Sequence, residues 1–377
     1  MIYLDNAATT KVADDVLREM LPYFSDIYGN AGSIHSAGRR AEAAMQEARG
    51  RCASGIGANP ENIIFTSGGS EANSLAIMGV ADYLKRIGKT HIITTQFEHH
   101  SVLECMKPLF YKGFEITYLR PNRHGIIEVS SVKDAIRQNT GLVSIMHVNN
   151  ELGTMMDIES IGHLCQLAGC FFHTDCVQSY GQFLISVDQY GIDFLSASGH
   201  KINAPKGVGL LYTRCKEVLS PIIHGGSQEY GLRGGTENIA GIVGFGAASE
   251  IAFREDHRAF FEELRTEFLS ELVSLKVEGF HLNGAPDKGS KIVNLRFDEI
   301  DGETLLLFLD SQGVMVSAGS ACSAHSAVPS HVLTSIGLTD NQARSSIRVS
   351  FSPDTTLDEV KDAAAIIADT VKKLWRR

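Results

Sequence analysis

The residues able to do chemistry gather where apolar runs give way to small and hydroxylated ones. In Ser196-Ala197-Ser198-Gly199-His200-Lys201-Ile202-Asn203-Ala204-Pro205-Lys206-Gly207, two lysines and a histidine leave an apolar run. A lysine held among hydroxyls at a strand end can form a Schiff base with a carbonyl cofactor. Taken singly, either lysine reads more readily as a solvated surface charge. In Ser67-Gly68-Gly69-Ser70-Glu71-Ala72-Asn73, glycines and hydroxyls stand where a helix should begin. Free N–H groups and the helix dipole there suit a phosphate, although a plain helix cap fits the same residues. Asp175 and Gln178 follow Phe171 to Thr174, at the strand end where α/β sheets bind ligands. A carboxylate there can keep a pyridinium nitrogen protonated, or it can simply cap a helix. His99 follows His91 to Thr95 in the same way; an imidazole can stack on a flat ring or move protons near neutral pH. His99 and His100 also read as loop residues, or as metal ligands with His147, His173 and Asp175. No H-x-x-x-H or C-x-x-C spacing supports a metal, and none is expected.

The fifth stretch, Ser317-Ala318-Gly319-Ser320-Ala321-Cys322-Ser323-Ala324-His325-Ser326, is nearly all small residues. A cysteine with so little bulk around it reads as an accessible nucleophile rather than a core filler. An unperturbed thiol, with a pKa of about 8.5, is only a few per cent thiolate at neutral pH, so a base or the bound substrate must activate it. The other six cysteines fall in helical or strand contexts and read as small hydrophobes.

The elements that must hold these residues alternate. Short β-rich runs at Ile63 to Thr66, His91 to Thr95, Phe114 to Leu119, Leu142 to His147, Phe171 to Thr174 and Asp193 to Ser196 are separated mostly by helix-like segments. The segments Ser36 to Ala53 and Ser70 to Ile87 read as helices. The expected fold is α/β, with a large domain built on a mostly parallel central sheet. Asn238 to Phe253 and His257 to Leu275 read as two helices. Strands are then expected at Lys291 to Phe297, Gly313 to Ser317 and Ser346 to Phe351, with helices after Asp301 and from Leu357. This pattern predicts a large domain over 16–256 and a smaller α+β domain over 257–377 that carries the Cys322 loop, with 1–15 packing on the small domain. A site at the cleft between them follows.

The whole chain, 377 residues with 44% apolar and 21% charged, suits a globular protein with a sizeable core. A net charge of -10 opposes an unassisted grip on nucleic acid or anionic lipid, so small molecules and proteins are the expected partners. Seven cysteines without paired spacing argue against a disulfide framework. With no signal-peptide pattern and no long uncharged apolar stretch, a cytoplasmic location is expected.

Taken in order, the motifs resemble the NifS/IscS-type cysteine desulfurases, class V aminotransferases of the fold-type I pyridoxal-phosphate (PLP) group. The resemblance runs through Tyr3-Leu4-Asp5-Asn6-Ala7-Ala8-Thr9-Thr10, Thr66-Ser67-Gly68, Glu98-His99, His147-Val148-Asn149-Asn150-Glu151 and Asp175-x-x-Gln178. It continues through Ser198-Gly199-His200-Lys201, Arg233-Gly234-Gly235-Thr236-Glu237-Asn238, Gly319-Ser320-Ala321-Cys322 and Ser346-Ile347-Arg348-Val349-Ser350.

The resemblance implies that Lys201, not Lys206, is the Schiff-base lysine of a PLP cofactor. Gly69, Ser70, Ser198 and His200 would hold its phosphate, with Thr236 reaching into a neighbouring subunit's site. It also implies that His99 stacks on the ring, Asp175 pairs with its nitrogen, Gln178 bonds its phenolic oxygen and Asn150 sits beside it. Arg348 would clamp the carboxylate of L-cysteine, and Cys322 would take the sulfur as a persulfide, leaving L-alanine, for delivery to an acceptor protein. A homodimer is implied as well. The acceptor pathway would be iron–sulfur assembly, tRNA thiolation or DNA phosphorothioation. The Gly29-Asn30-Ala31-Gly32-Ser33 and Ala204-Pro205-Lys206-Gly207 variants are similar to those of desulfurases serving phosphorothioation. The rival readings are a selenocysteine lyase or another PLP-dependent β-elimination enzyme, in which Cys322 need not act, and a catalytically silent scaffold of a sulfur-transfer complex. Lys201, Asp175, His99, Arg348 and Cys322 in one chain argue against the scaffold.

Overall fold

The chain begins with a two-residue strand, β1 (Ile2–Tyr3), and then lays down β2 (Ile63–Thr66), β3 (His91–Thr95), β4 (Glu115–Leu119), β5 (Thr140–Ser144), β6 (Phe171–Asp175), β7 (Phe194–Ser198) and β8 (Gly209–Thr213). The computed structural model describes residues 1–287, 289–318 and 328–375. Strands β2 to β8 form one seven-stranded sheet in the order β2-β8-β7-β6-β5-β3-β4. Neighbours from β7 to β4 pair in parallel, which needs long crossover connections; most contain a helix, and the one from β6 to β7 is a helix-free stretch over 176–193. Strand β8 is antiparallel to both β7 and β2. Two reversals restore the direction, so β2 runs the same way as β7. The carboxyl ends of β2, β3, β5, β6 and β7 therefore open on one edge.

The sequence predicts six of these seven strands. It overlooks β8, whose Gly209-Leu210-Leu211-Tyr212-Thr213 is buried throughout, because the preceding lysine turn leaves no helix to announce a new strand. The expected helix from Ser70 to Ile87 is two helices, Gly69–Gly79 and Ala81–Arg86. The break has a cause: the Gly79 carbonyl accepts a hydrogen bond from Ser220 N–H at 2.9 Å. Helix Ile239–Ala252 is apolar on all sides and buried along most of its length. It packs on helix Ser36–Ser54 through Gly246, where a Cβ would lie 2.7 Å from that of Ala48.

Beyond helix Arg258–Ser274 come β9 (Phe280–Asn283), β10 (Ile292–Phe297), β11 (Val314–Met315) and β12 (Ser346–Ser350). A three-stranded antiparallel sheet has the order β12-β10-β9. Strand β9 was not expected, and the strand expected over Gly313 to Ser317 is only two residues long. It pairs in parallel with β1. A second core forms here from Phe261, Leu264, Phe268, Ile347, Val349 and Ile367, and it takes in Leu4 from the chain's start. Among the described residues no helix is long and apolar enough to cross a membrane. Cys322 and its neighbours, 319–327, lie outside the described residues.

Candidate active site

A cavity of about 210 Å³ opens at the carboxyl edge of the large sheet, where the chain's first residues and β12 also arrive. Lys201 ends a single 3-10 turn, Gly199–Lys201, that leaves β7. Its Nζ donates to the carbonyls of Ala7 at 2.5 Å and Ala8 at 2.7 Å. His200 beside it bonds the Thr9 hydroxyl through Nδ1 at 3.2 Å. Burial pushes this imidazole down to about 4, helped by the charges of Lys201, Lys206 and Lys291, so His200 is neutral at physiological pH.

Asp175, at the end of β6, is 5% exposed and faces the cavity. One carboxylate oxygen accepts from Asn73 Nδ2 at 2.7 Å and the other from Val177 N–H at 2.9 Å. Asn73 also donates to Ser101 Oγ at 2.9 Å, and that hydroxyl meets His99 Nδ1 at 2.7 Å. The Ser101 N–H donates to the same His99 nitrogen at 3.1 Å, so the neutral ring carries its proton on Nε2. Burial lowers the His99 pKa while the charge of Asp175 opposes this. Asn73 and Ser101 thus tie the carboxylate to the imidazole. Neither was picked out from the sequence, although Asn73 falls one turn into the phosphate-type helix start, facing the strand ends.

Gln178 donates to Ala7 O at 2.9 Å, while its buried Oε1 has no partner among the described residues. The buried Oδ1 of Asn150 and Nε of Arg348 are likewise without partners there. Arg348 lies on β12, only 2% exposed. Its Nη1 donates to the Asn150 carbonyl at 2.8 Å and its Nη2 pairs with Asp5 at 2.9 Å. Asp5 therefore orients the guanidinium, which lines the cavity. Gly69 and Ser70 open helix Gly69–Gly79 onto the cavity, across from Ser198. Gly209 lets that turn come close, because a Cβ there would lie 2.6 Å from Gly68 Cα. Ten of the twelve expected site residues line this one cavity. Thr236 is exposed and outside it; Cys322 is outside the described residues. Among the described residues there is no group of His, Cys, Asp and Glu able to hold a metal.

A helix start, a buried carboxylate and a lysine thus surround one cavity at the sheet edge. The family model "Aminotransferase class-V" matches residues 2–362. The putative cysteine desulfurase IscS 1 of Bacillus subtilis is 45% identical over 377 residues, spanning 99% of each chain. A solved structure described as a NifS-like protein superposes with a TM-score of 0.91 at 35% identity over 99% of both chains. Another, described as SspA in complex with cysteine, gives 0.83 at 41% identity over 94% of this chain and 100% of that one. The chain belongs to the class V aminotransferase family, on its cysteine desulfurase branch.

The family depends on PLP, and the residues present fit that group. Asp175 meets the need of a pyridinium nitrogen for a carboxylate, the Gly69 turn offers N–H groups to a phosphate, and Lys201 offers an amine to an aldehyde. Gln178, Asn150 and Arg348, each with a buried polar atom that has no partner among the described residues, line the same cavity.

Proposed function

We propose that the chain converts L-cysteine to L-alanine with PLP held by Lys201, and that Cys322 takes the sulfur as a persulfide. Support comes above all from the convergence of Lys201, Asp175, His99 and Arg348 on one cavity. In this reading Gly69, Ser70, Ser198 and His200 hold the phosphate, and Asp175 keeps the ring nitrogen protonated. His99 covers the ring face, Asn150 lies at its edge, and Gln178 uses its second amide N–H for the phenolic oxygen. The bound cofactor supplies a sink for the electron pair left when the substrate's Cα proton departs. Lys201 moves that proton, with the neutral His99 near enough to assist. Arg348 clamps the substrate carboxylate in two hydrogen bonds. The Cys322 thiolate attacks the substrate sulfur, the carbon–sulfur bond breaks, and alanine leaves.

The proposal places the enzyme in the cytoplasm as a homodimer, with Thr236 completing the neighbour's phosphate site. It hands sulfur to an acceptor protein of an iron–sulfur, tRNA-thiolation or DNA-phosphorothioation pathway, without gripping nucleic acid itself. Protein purified with PLP should show a visible absorption band that Lys201→Ala abolishes. Cys322→Ala should keep the band and lose sulfide release from cysteine. Undiminished sulfide release from Cys322→Ala would sink the persulfide step and favour a selenocysteine lyase or another β-elimination enzyme.

A further inference from the structure

Glu229 and Tyr230 stand at φ 46° and 58°, two successive non-glycine residues in the left-handed region. Such backbone persists only where its surroundings over-determine it, and a buried ion pair does so here. Arg49 and Glu229, each with a side chain 2% exposed, meet through two hydrogen bonds, Nη2 to Oε1 at 2.6 Å and Nη1 to Oε2 at 2.8 Å. The pair also covers the free side of β2, which is an edge strand. Glu229 accepts from Phe65 N–H at 2.8 Å, and Arg49 donates to the Ile63 carbonyl at 2.6 Å. Backbone groups with no strand beside them are thus satisfied by side chains.

Four residues further on, Arg233 makes a second tie. Its Nε donates to Glu71 Oε1 at 3.0 Å, and the other Glu71 oxygen accepts from Ser67 N–H at 2.8 Å. Ser67 opens the turn that leads into Gly69 and Ser70. Gly234 N–H then donates to the Ile223 carbonyl at 3.0 Å, which closes the loop 223–234. Thr236 comes two residues beyond this closure, exposed and outside the cavity of its own chain. Neither Arg233 nor Glu71 lines that cavity. The ties are lopsided: β2 also pairs with β8 over four residues, and Glu71 is built into helix Gly69–Gly79. Loss of Arg233 would therefore release the loop, while Glu71 still bonds Ser67.

We infer that Arg233 is a positioning residue for the phosphate site of the neighbouring subunit: together with the Arg49–Glu229 pair, it fixes the loop that delivers Thr236 there. A hydroxyl held in place before the anion arrives spares the entropy of ordering its loop on binding. The inference rests on Thr236 completing that site.

The test is the PLP affinity of Arg233→Gln, read from the growth of the visible band as PLP is added back to stripped enzyme. Arg233 is 24% exposed, so the variant should fold with a melting curve close to that of wild type. As a homodimer it should bind PLP about tenfold more weakly, the worth of one hydrogen bond to a charged group. In a mixed dimer with Lys201→Ala, isolated through two affinity tags, the single site with a lysine belongs to the Arg233→Gln subunit and receives Thr236 from an intact loop. Its affinity should return to the wild-type value, which a disturbance confined to the variant's own chain does not allow. Thr236→Glu, paired with Lys201→Ala in the same way, serves as the comparison. Wild-type affinity in the Arg233→Gln homodimer would overturn the inference. So would a weak Arg233→Gln mixed dimer beside a Thr236→Glu mixed dimer that binds normally, since Arg233 would then serve its own cavity. If neither mixed dimer recovers, the assignment of Thr236 to the neighbour fails and the inference falls with it.

Discussion

Glu98, the residue before His99, is fully buried. Its Oε1 accepts from the Thr95 hydroxyl at 2.9 Å and from Met146 N–H at 3.0 Å, and its Oε2 has no partner among the described residues. Burial pushes this carboxyl up to about 8, with the charge of Asp175 adding to the effect, so it is protonated at neutral pH. Its folded value lies above the ordinary 4.5, so the stability it contributes is complete below that pH and is lost as pH rises through about 8. Glu98→Gln keeps the acceptor oxygen and removes the titration. Its melting temperature relative to wild type should climb from about pH 5 to about pH 9, and parallel curves would refute this. His147 and His173 act in the opposite sense. Burial holds both imidazoles down to about 3, so their contribution is complete above 6.5 and lost as pH falls towards 3. At this scale the sequence offers Asp175 and the two lysines of the 196–207 stretch by their places after strands, while Arg348, and Lys201 over Lys206, come only with the family resemblance. It does not reveal their supports. Asn73 bonds Asp175 from 102 residues away, Asp5 pairs with Arg348 from 343, and Lys291 reaches Lys201 from 90. An amide or carboxylate bonding over such separations leaves no local pattern.

Glycines decide how closely the elements meet. Gly209 in β8 lies opposite Thr66 and Ser198, and a Cβ there would stand 2.6 Å from Gly68 Cα and 2.7 Å from the Ala197 carbonyl. Those neighbours are backbone and cannot swing aside. Gly209→Ala should lower stability by about 1–3 kcal/mol in chemical denaturation. It should also weaken PLP retention on dialysis, because it pushes on the turn that begins the phosphate-type helix. Gly50, inside helix Ser36–Ser54, has nothing within 4 Å of a built Cβ. Gly50→Ala should therefore raise stability by about 0.5–1 kcal/mol. Equal effects of the two substitutions would contradict this account of β8. The same close approaches explain what the sequence hides at the level of elements. Short β-rich runs expose β2 to β7, but the break after Gly79 comes from Ser220, and β8 follows a turn whose composition is set by chemistry rather than by punctuation. The two-residue β1 is too short for a run to show, the polar residues of Phe280-His281-Leu282-Asn283 hide β9, and β11 is a two-residue remnant of the strand expected over Gly313 to Ser317.

Across the whole molecule, the first ten residues join the two cores. Leu4 belongs to the small core, Ala7 N–H bonds Ser350 Oγ at 2.8 Å, and the Ala7 carbonyl receives both Lys201 and Gln178. Thr10 N–H then bonds the His200 carbonyl at 2.9 Å. Each cavity is thus assembled from distant parts of one chain, while Thr236 remains at the surface. Its loop is anchored at the base, where a Cβ on Gly234 would lie 2.5 Å from Gly225 Cα. Close to the chain's start, Leu21, Phe24, Tyr28 and Ile34 also expose apolar side chains, Ile34 to 92%. Apolar surface of that kind suits a contact between copies. If Thr236 completes the neighbour's phosphate site, Lys201→Ala and Thr236→Glu should each be inactive alone, the second because a carboxylate repels phosphate. Co-expressed, half of the dimers would be mixed, and each would hold one site with both an intact Lys201 and an intact Thr236. About a quarter of wild-type desulfurase activity should return, carried by the species that two affinity tags isolate. If the isolated mixed dimer is as inactive as its parents, Thr236 serves the cavity of its own chain and the two sites are independent.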